Sequence, residues 1–329
     1  MSAPAGPPQG GAANRMERAQ PANDHHPLPR EGGRGEGAPV ILLTGKNGQV
    51  GWELQRTLQP VGKVTACDHA GLDLADVAAV RRKLDEVRPD IIVNAAAYTA
   101  VDKAESETDL AQAVNAAAPA LLAQEAAQRG ALLIHYSTDY VYDGAKAAPY
   151  VESDPTAPLG AYGRSKLAGE EGIRASGCDH LIFRTSWVYA ARGANFLRTI
   201  LRLAAEREEL RIVADQVGAP TWARLIAEAT AHALRQALQE RSGGKFASGI
   251  FHLTAAGETS WHGFAAAIVA GRSGLRVRQV TPIRTADYPT PAQRPANSRL
   301  ATGAFRARFG LVLPDWRDCL KLCLEEIPQ

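Results

Sequence analysis

The chain has 329 residues, room for two ordinary domains, and with 45% hydrophobic and 22% charged residues it is globular, which excludes wholesale disorder. A net charge of +2 supplies no basic field for nucleic acid or an anionic membrane, and 6% aromatic residues are too few for a base-stacking platform. The excess of arginine, twenty-nine against eight lysines, accompanies abundant Ala and Gly and reads as genome composition.

Residues 1–37 hold seven glycines and six prolines, with Leu28 the one large aliphatic side chain, so a disordered tail is expected. The tail lacks the apolar run of a secretion signal, and both methionines, Met1 and Met16, fall in it, which leaves open a true start nearer Val40. His25 and His26 read as a solvated pair. The fold is expected to begin at Val40-Ile41-Leu42-Leu43, a strand ending in the glycine-rich Thr44 to Gly51. Helix Trp52–Leu58, strand Val64–Cys67 and helix Val77–Val87 follow; Pro89 stops that helix before strand Ile91–Val93. A long Ala-rich helix is expected over Val101–Gln128, then strand Ala131–Tyr136, helix Tyr162–Ala175 and strand Leu181–Arg184. Continuous apolar strands alternating with helices predict an α/β, doubly wound parallel sheet of Rossmann type over residues 38–187. Residues 188–329 carry helices at Asn195–Arg207, Ala223–Gln239 and from Trp261, a strand Ile250–Leu253 and clustered prolines. They are expected to form a smaller, loop-rich substrate-binding region, with some segments returning to the sheet. No run nears the ~18 apolar residues of a membrane span, so a soluble protein is expected. Cys67, Cys178, Cys319 and Cys323 contain no Cys-x-x-Cys and read as free thiols in a reducing cytoplasm.

Gly45-Lys46-Asn47-Gly48-Gln49-Val50-Gly51 follows the first strand and opens a helix. Glycines at such a turn allow close backbone approach to a pyrophosphate, and the helix terminus offers oriented N–H groups to its charge. Asp68 ends the second strand, where an acidic side chain accepts from adenosine ribose hydroxyls; Lys46 and Arg56 offset its repulsion of a 2′-phosphate, so NADPH and NADH both stay open. Asp73 and Leu74 flank the adenine or belong to an exposed loop. Asn94-Ala95-Ala96-Ala97 ends the third strand with side chains small enough for a dinucleotide to lie across them.

Tyr162 and Lys166, four apart on a helix, project from one face. A phenol of pKa ~10 becomes useful in acid–base chemistry when a nearby cation favours its anion, and a lysine one turn away supplies that cation. Ser137-Thr138-Asp139, at the end of the fourth strand, places a hydroxyl where it polarises a substrate carbonyl beside Tyr162. Together the turn, the Tyr-x-x-x-Lys pair and the Thr138 hydroxyl resemble the extended short-chain dehydrogenase/reductase family.

Further blocks are similar to the dTDP-4-dehydrorhamnose reductase branch of that family: Val93 to Glu105, His135 to Val141, Arg184 to Tyr189, Asp215 to Thr221 and Arg294 to Leu300. The resemblance covers roughly Val40 to the C-terminus. It implies NADPH- or NADH-dependent reduction of a 4-keto nucleotide sugar, with Tyr162 as proton donor, Lys166 as its partner and ribose ligand, and Thr138 on the reacting oxygen. It assigns Gly45, Gly48, Gln49, Val50 and Gly51 to the pyrophosphate turn, Asp68, Asp73 and Leu74 to the adenosine, and Ala97, Tyr98 and Thr99 to the middle of the cofactor. Asp139 and Trp187 take substrate positions, and Arg294, with Arg299, suits the substrate diphosphate. Tyr98 and Tyr142 depart from the family pattern. Magnesium assists some members, but Glu53 and Glu105 fall on separate helices and no ligands are assigned. The implied partners are the nucleotide sugar and a second copy of the chain, with neither nucleic acid nor membrane. A dehydratase would need a glutamate after Asp139, where Tyr140 stands; an epimerase and a non-catalytic regulatory subunit are the remaining alternatives.

Overall fold

The computed structural model describes residues 37–328, so the expected tail lies outside the described residues, Gly37 apart. The glycine turn joins β1 (Val40–Thr44) to α1 (Gln49–Thr57), and β2 (Lys63–Cys67), α2 (Val77–Val87) and β3 (Ile91–Asn94) follow. Asp76 caps α2 by accepting from Ala79 N (2.9 Å), and α2 ends on Arg88 in the left-handed region (φ 47°), immediately before Pro89. Next come α3 (Thr108–Gln112), a π-turn (Ala113–Ala117), α4 (Ala118–Arg129), β4 (Leu132–Thr138), α5 (Ala161–Ala175) and β5 (His180–Thr185).

The expected helix Val101–Gln128 is therefore broken. A 3-10 turn (Lys103–Glu105) precedes α3, and the π-turn interrupts the helix just before Pro119. Proline has no N–H to return to the Asn115 carbonyl one turn back, so the ladder slips there. The freed Asn115 oxygen lies against α5, only 2.2 Å from where a Cβ on Gly169 would stand. Glycine at that position lets α4 and α5 close.

β6 (Val188–Tyr189), α6 (Phe196–Glu206), β7 (Glu209–Val213), β8 (Val217–Gly218) and β9 (Thr221–Trp222) come after β5. The chain finishes with α7 (Ala223–Ser242), β10 (Gly249–His252), β11 (Thr259–Ser260), α8 (Trp261–Ala270), β12 (Gln279–Ile283), α9 (Gly303–Phe309) and α10 (Trp316–Glu325). The main sheet is wholly parallel in the order β2-β1-β3-β4-β5-β10. Its strands alternate by face. Ile41, Leu43, Val93 and Ile134 pack with α1, α7 and α9, whereas Leu42, Ile92, Leu133 and Ile182 pack with α2, α4 and α5. From Ala38 onward the chain is one compact unit. After Tyr189 it divides its work: α7, β10 and α9 complete the sheet layer, while α6, α8, α10 and the β7–β12 pair surround a further core of Tyr189, Ile200, Trp222, Phe264 and Trp316. The strand order reverses between β1 and β3, where parallel sheets open a crevice beyond the strand ends.

Candidate active site

A cleft of about 850 Å³ occupies that crevice. Gly45, Gly48, Gln49 and Val50 line its floor, Asp68, Asp73 and Leu74 one end, Ala97, Tyr98 and Thr99 its middle, and Tyr162 and Lys166 the other end. Gly45 has φ +73°, and a Cβ on it would lie 2.6 Å from Ala96 N, so only glycine fits here. Gly51 does not line the cleft. Its α-carbon sits beneath the turn, where a Cβ would come within 2.0 Å of Gly45 O, and its bare surface lets α1 dock.

At the Asp68 end of the cleft, Asp68 accepts from Gly71 N (2.9 Å) and Asn47 Nδ2 (3.2 Å) and pairs with Lys46 (3.2 Å). The Gly71 N–H, then Lys46, hold its carboxyl below the ordinary range. Arg56 lies away from this group, over the Trp52 ring at 4.1 Å. Arg192, from the loop after β6, covers the same indole at 3.4 Å and lines the cleft. Tyr98 donates to Glu107, which pushes its phenol up to about 12.

At the other end the first turn of α5 carries Tyr162, and Glu105 caps that turn by accepting from Ala161 N (2.7 Å). Burial drives the Tyr162 phenol up to about 12; a hydrogen bond with Thr138 works against this shift and the Asp139 charge adds to it. Lys166 is 2% exposed. Its Nζ donates to Tyr136 O (2.7 Å) and lies 3.1 Å from His135 Nε2. Burial lowers this ammonium to about 8, against the pull of Glu170. Behind it, Asn94 Nδ2 meets His135 Nδ1 (3.1 Å) and Thr44 Oγ1 donates to Asn94 Oδ1 (2.7 Å). Asp139, buried beside Thr138, is raised to about 6 by burial, with hydrogen bonds from Ser298 and Thr138 opposing.

Thr138, Asp139, Trp187 and Arg294 lie outside the cleft lining. Thr138 and Asp139 bear directly on Tyr162, whereas Arg294 is paired with Asp102 (2.8 Å) and acts electrostatically on Tyr140, whose ring meets Tyr162 edge-on at 5.5 Å. Trp187 holds a left-handed backbone (φ 48°) and stacks on Trp261 at 3.6 Å. Arg299 is tied to Glu258 and Asn297.

Ser137, Thr185 and Arg192 line the cleft too, though sequence reasoning assigned them no role. Ser137 Oγ, Thr185 Oγ1 and Gln49 Oε1 are buried without a protein partner, so the cleft wall presents polar atoms suited to a polar ligand. With the glycine cradle and the start of α1, they fit a dinucleotide. Ser137 and Thr185 end adjacent strands, and the rule that ligands lie beyond carboxyl ends would have flagged both. Among the described residues, no three His, Cys, Asp or Glu side chains gather to hold a metal. Glu53 is instead engaged by Arg224 (3.2 Å).

The profile of the family described as RmlD substrate binding domain matches residues 39–328. A Burkholderia thailandensis protein named dTDP-4-dehydrorhamnose reductase is 55% identical over 87% of this chain and 98% of its own length. A Clostridium acetobutylicum dTDP-4-dehydrorhamnose reductase structure is similar at TM-score 0.79 and 38% identity, covering 87% of this chain and 98% of that one. The Bacillus anthracis dTDP-4-dehydrorhamnose reductase, solved in complex with NADP, is similar at TM-score 0.78 and 35% identity, covering 88% and 99%.

Proposed function

The chain belongs to the RmlD substrate-binding family, and from that premise we propose that it reduces dTDP-4-dehydro-β-L-rhamnose to dTDP-β-L-rhamnose with NADPH or NADH. The observation that carries the reading is the meeting, in one cleft, of a pyrophosphate-sized glycine cradle with Tyr162 and Lys166 on one face of α5. Gly48, Gln49 and Val50 would hold the pyrophosphate, Asp68 the adenosine ribose, and Ser137 and Thr185 the polar edge of the nicotinamide end. When bound, the reduced dinucleotide supplies a hydride to the 4-keto carbon.

The protein's part is the proton. A phenol raised to about 12 stays protonated at neutral pH, as a donor must. As negative charge grows on the sugar oxygen, Tyr162 gives up its proton there, and Thr138 turns to that oxygen the one hydroxyl proton it otherwise donates to Asp139 (3.1 Å). The phenolate left behind is stabilised by the Lys166 ammonium one helical turn away. Asp139, beside Thr138, is assigned to the nucleotide sugar together with Trp187 and Arg294, the last by the match of its guanidinium to phosphate oxygens. The buried free thiols accord with work in the cytoplasm.

The test follows absorbance of NADPH and NADH, in parallel, on adding the keto-sugar nucleotide. Oxidation equal to the sugar supplied, with dTDP-rhamnose as product, is the expected outcome. Cofactor binding with no oxidation by either would reject the reading in favour of a non-catalytic role.

A further inference from the structure

Lys166 is held from behind by an arrangement the reaction chemistry does not require. Thr44, Asn94 and His135 stand side by side on β1, β3 and β4, partners in successive strand registers. Their side chains form a buried rail, Thr44–Asn94 at 2.7 Å and Asn94–His135 at 3.1 Å, that ends on Lys166 Nζ at 3.1 Å. All four side chains are at most 2% exposed. The rail joins the strand that enters the glycine turn to the helix that carries the acid.

Donor arithmetic constrains it. An ammonium has three N–H groups and no lone pair, so every partner must accept. Tyr136 O accepts one, His135 Nε2 faces the second, and the third is left for the cleft that Lys166 lines. His135 is itself kept neutral, by burial first and by the Lys166 charge next. A neutral imidazole bears one proton; if Nε2 accepts, that proton is on Nδ1 and must be donated to Asn94. The Asn94 amide, placed with Nδ2 toward His135 and Oδ1 toward Thr44, is then reversed, its oxygen accepting from His135 Nδ1 and its nitrogen donating to Thr44 Oγ1; the two orientations fill the same space. The other charged and titratable groups around the pair are few. Glu170, the next turn of α5, is committed to Arg184 of β5 (2.9 and 2.5 Å); Tyr136 bonds Thr230 (2.8 Å); Tyr162 and Asp139 stand on the substrate side.

We propose that His135 is a positioning residue, whose Nε2 accepts from the Lys166 ammonium and, through Asn94 and Thr44, fixes both the charge and the aim of that group. The inference rests on the reductase reading above, but half of its test does not. Without this acceptor the buried ammonium has one protein partner fewer, and its charged form is disfavoured.

The experiment has two parts. Nitrogen-15 NMR of the histidine rings in the wild-type holoenzyme at pH 6.5, with His135 assigned by its loss in His135→Gln, should show the Nδ1–H tautomer. The Nε2–H tautomer or a doubly protonated ring would overturn the proposal, whatever reaction the protein catalyses. The pH profile of kcat/KM for the keto-sugar, at saturating NADPH, should then show the alkaline limb of His135→Phe moved down by about one pH unit, the worth of one hydrogen bond. His135→Gln, which keeps an acceptor, should restore the limb toward wild type. Equal displacement in both variants, or in neither, would reduce His135 to packing and overturn the proposal.

Discussion

Tyr162 shows how burial and chemistry agree at one side chain. The environment that makes its anion costly keeps the phenol protonated at neutral pH, as the proposed role of proton donor requires. Tyr162→Phe should leave cofactor affinity near wild type and slow turnover about 10²–10⁴-fold, the usual loss for a positioned general acid. Unchanged turnover would remove Tyr162 from the mechanism. Asp139 obeys the same physics, because burial disfavours its anion as well. Its carboxyl rises from the ordinary 3.8 to about 6 on burial, so the folded state holds its proton more tightly than the unfolded state does. The burial penalty is absent below the unfolded value and complete above the folded one. Asp139→Asn should therefore stabilise the protein by on the order of 2–3 kcal/mol above pH 7, a gain that fades as pH falls from about 6 toward 4. Thermal melts across that range check it; a gain independent of pH would point to packing.

At the scale of elements, α5 is the working part, and its start is secured from elsewhere in the chain. Gly160 offers no side-chain cap, so Glu105, from the short 3-10 turn after β3, accepts from the first helical N–H. Glu105→Ala should lower stability by about 1 kcal/mol, as for a lost helix cap, and lower kcat more than it raises KM because Tyr162 sits in that first turn. A change in KM alone would separate the cap from the catalytic geometry. The sequence placed Tyr162, Lys166 and the glycine turn correctly in their elements, because each depends on local spacing: one helical turn, or one strand-to-helix corner. The π-turn escaped because a run of alanines masks the one missing donor at Pro119. The capping role of Glu105 was not legible because its partner, Ala161, is 56 residues away.

Over the whole molecule, what could not be read were contacts across the sheet. The rail behind Lys166 joins residues separated by 50, 41 and 31 positions, and only strand order brings them together. The later half of the chain was hardest for the same reason. Its pattern loosens after Trp187, yet α7 and β10 lie in the main sheet layer because their apolar faces complete it. The buried Glu170–Arg184 pair, with Tyr142 and His252, ties α5 to β5 and β10. Contacts from several strands thus surround α5, and in the proposed reaction such fixed geometry would let remote contacts with a nucleotide serve the reacting carbon. That geometry converges on one event, hydride delivery to the sugar beside Tyr162. Turnover with nicotinamide deuterated at carbon 4 on the transferred face, followed by mass and NMR analysis of the sugar, tests it most directly. Deuterium at carbon 4 of dTDP-L-rhamnose is the expected result; unlabelled product, or label at another carbon, would contradict the account.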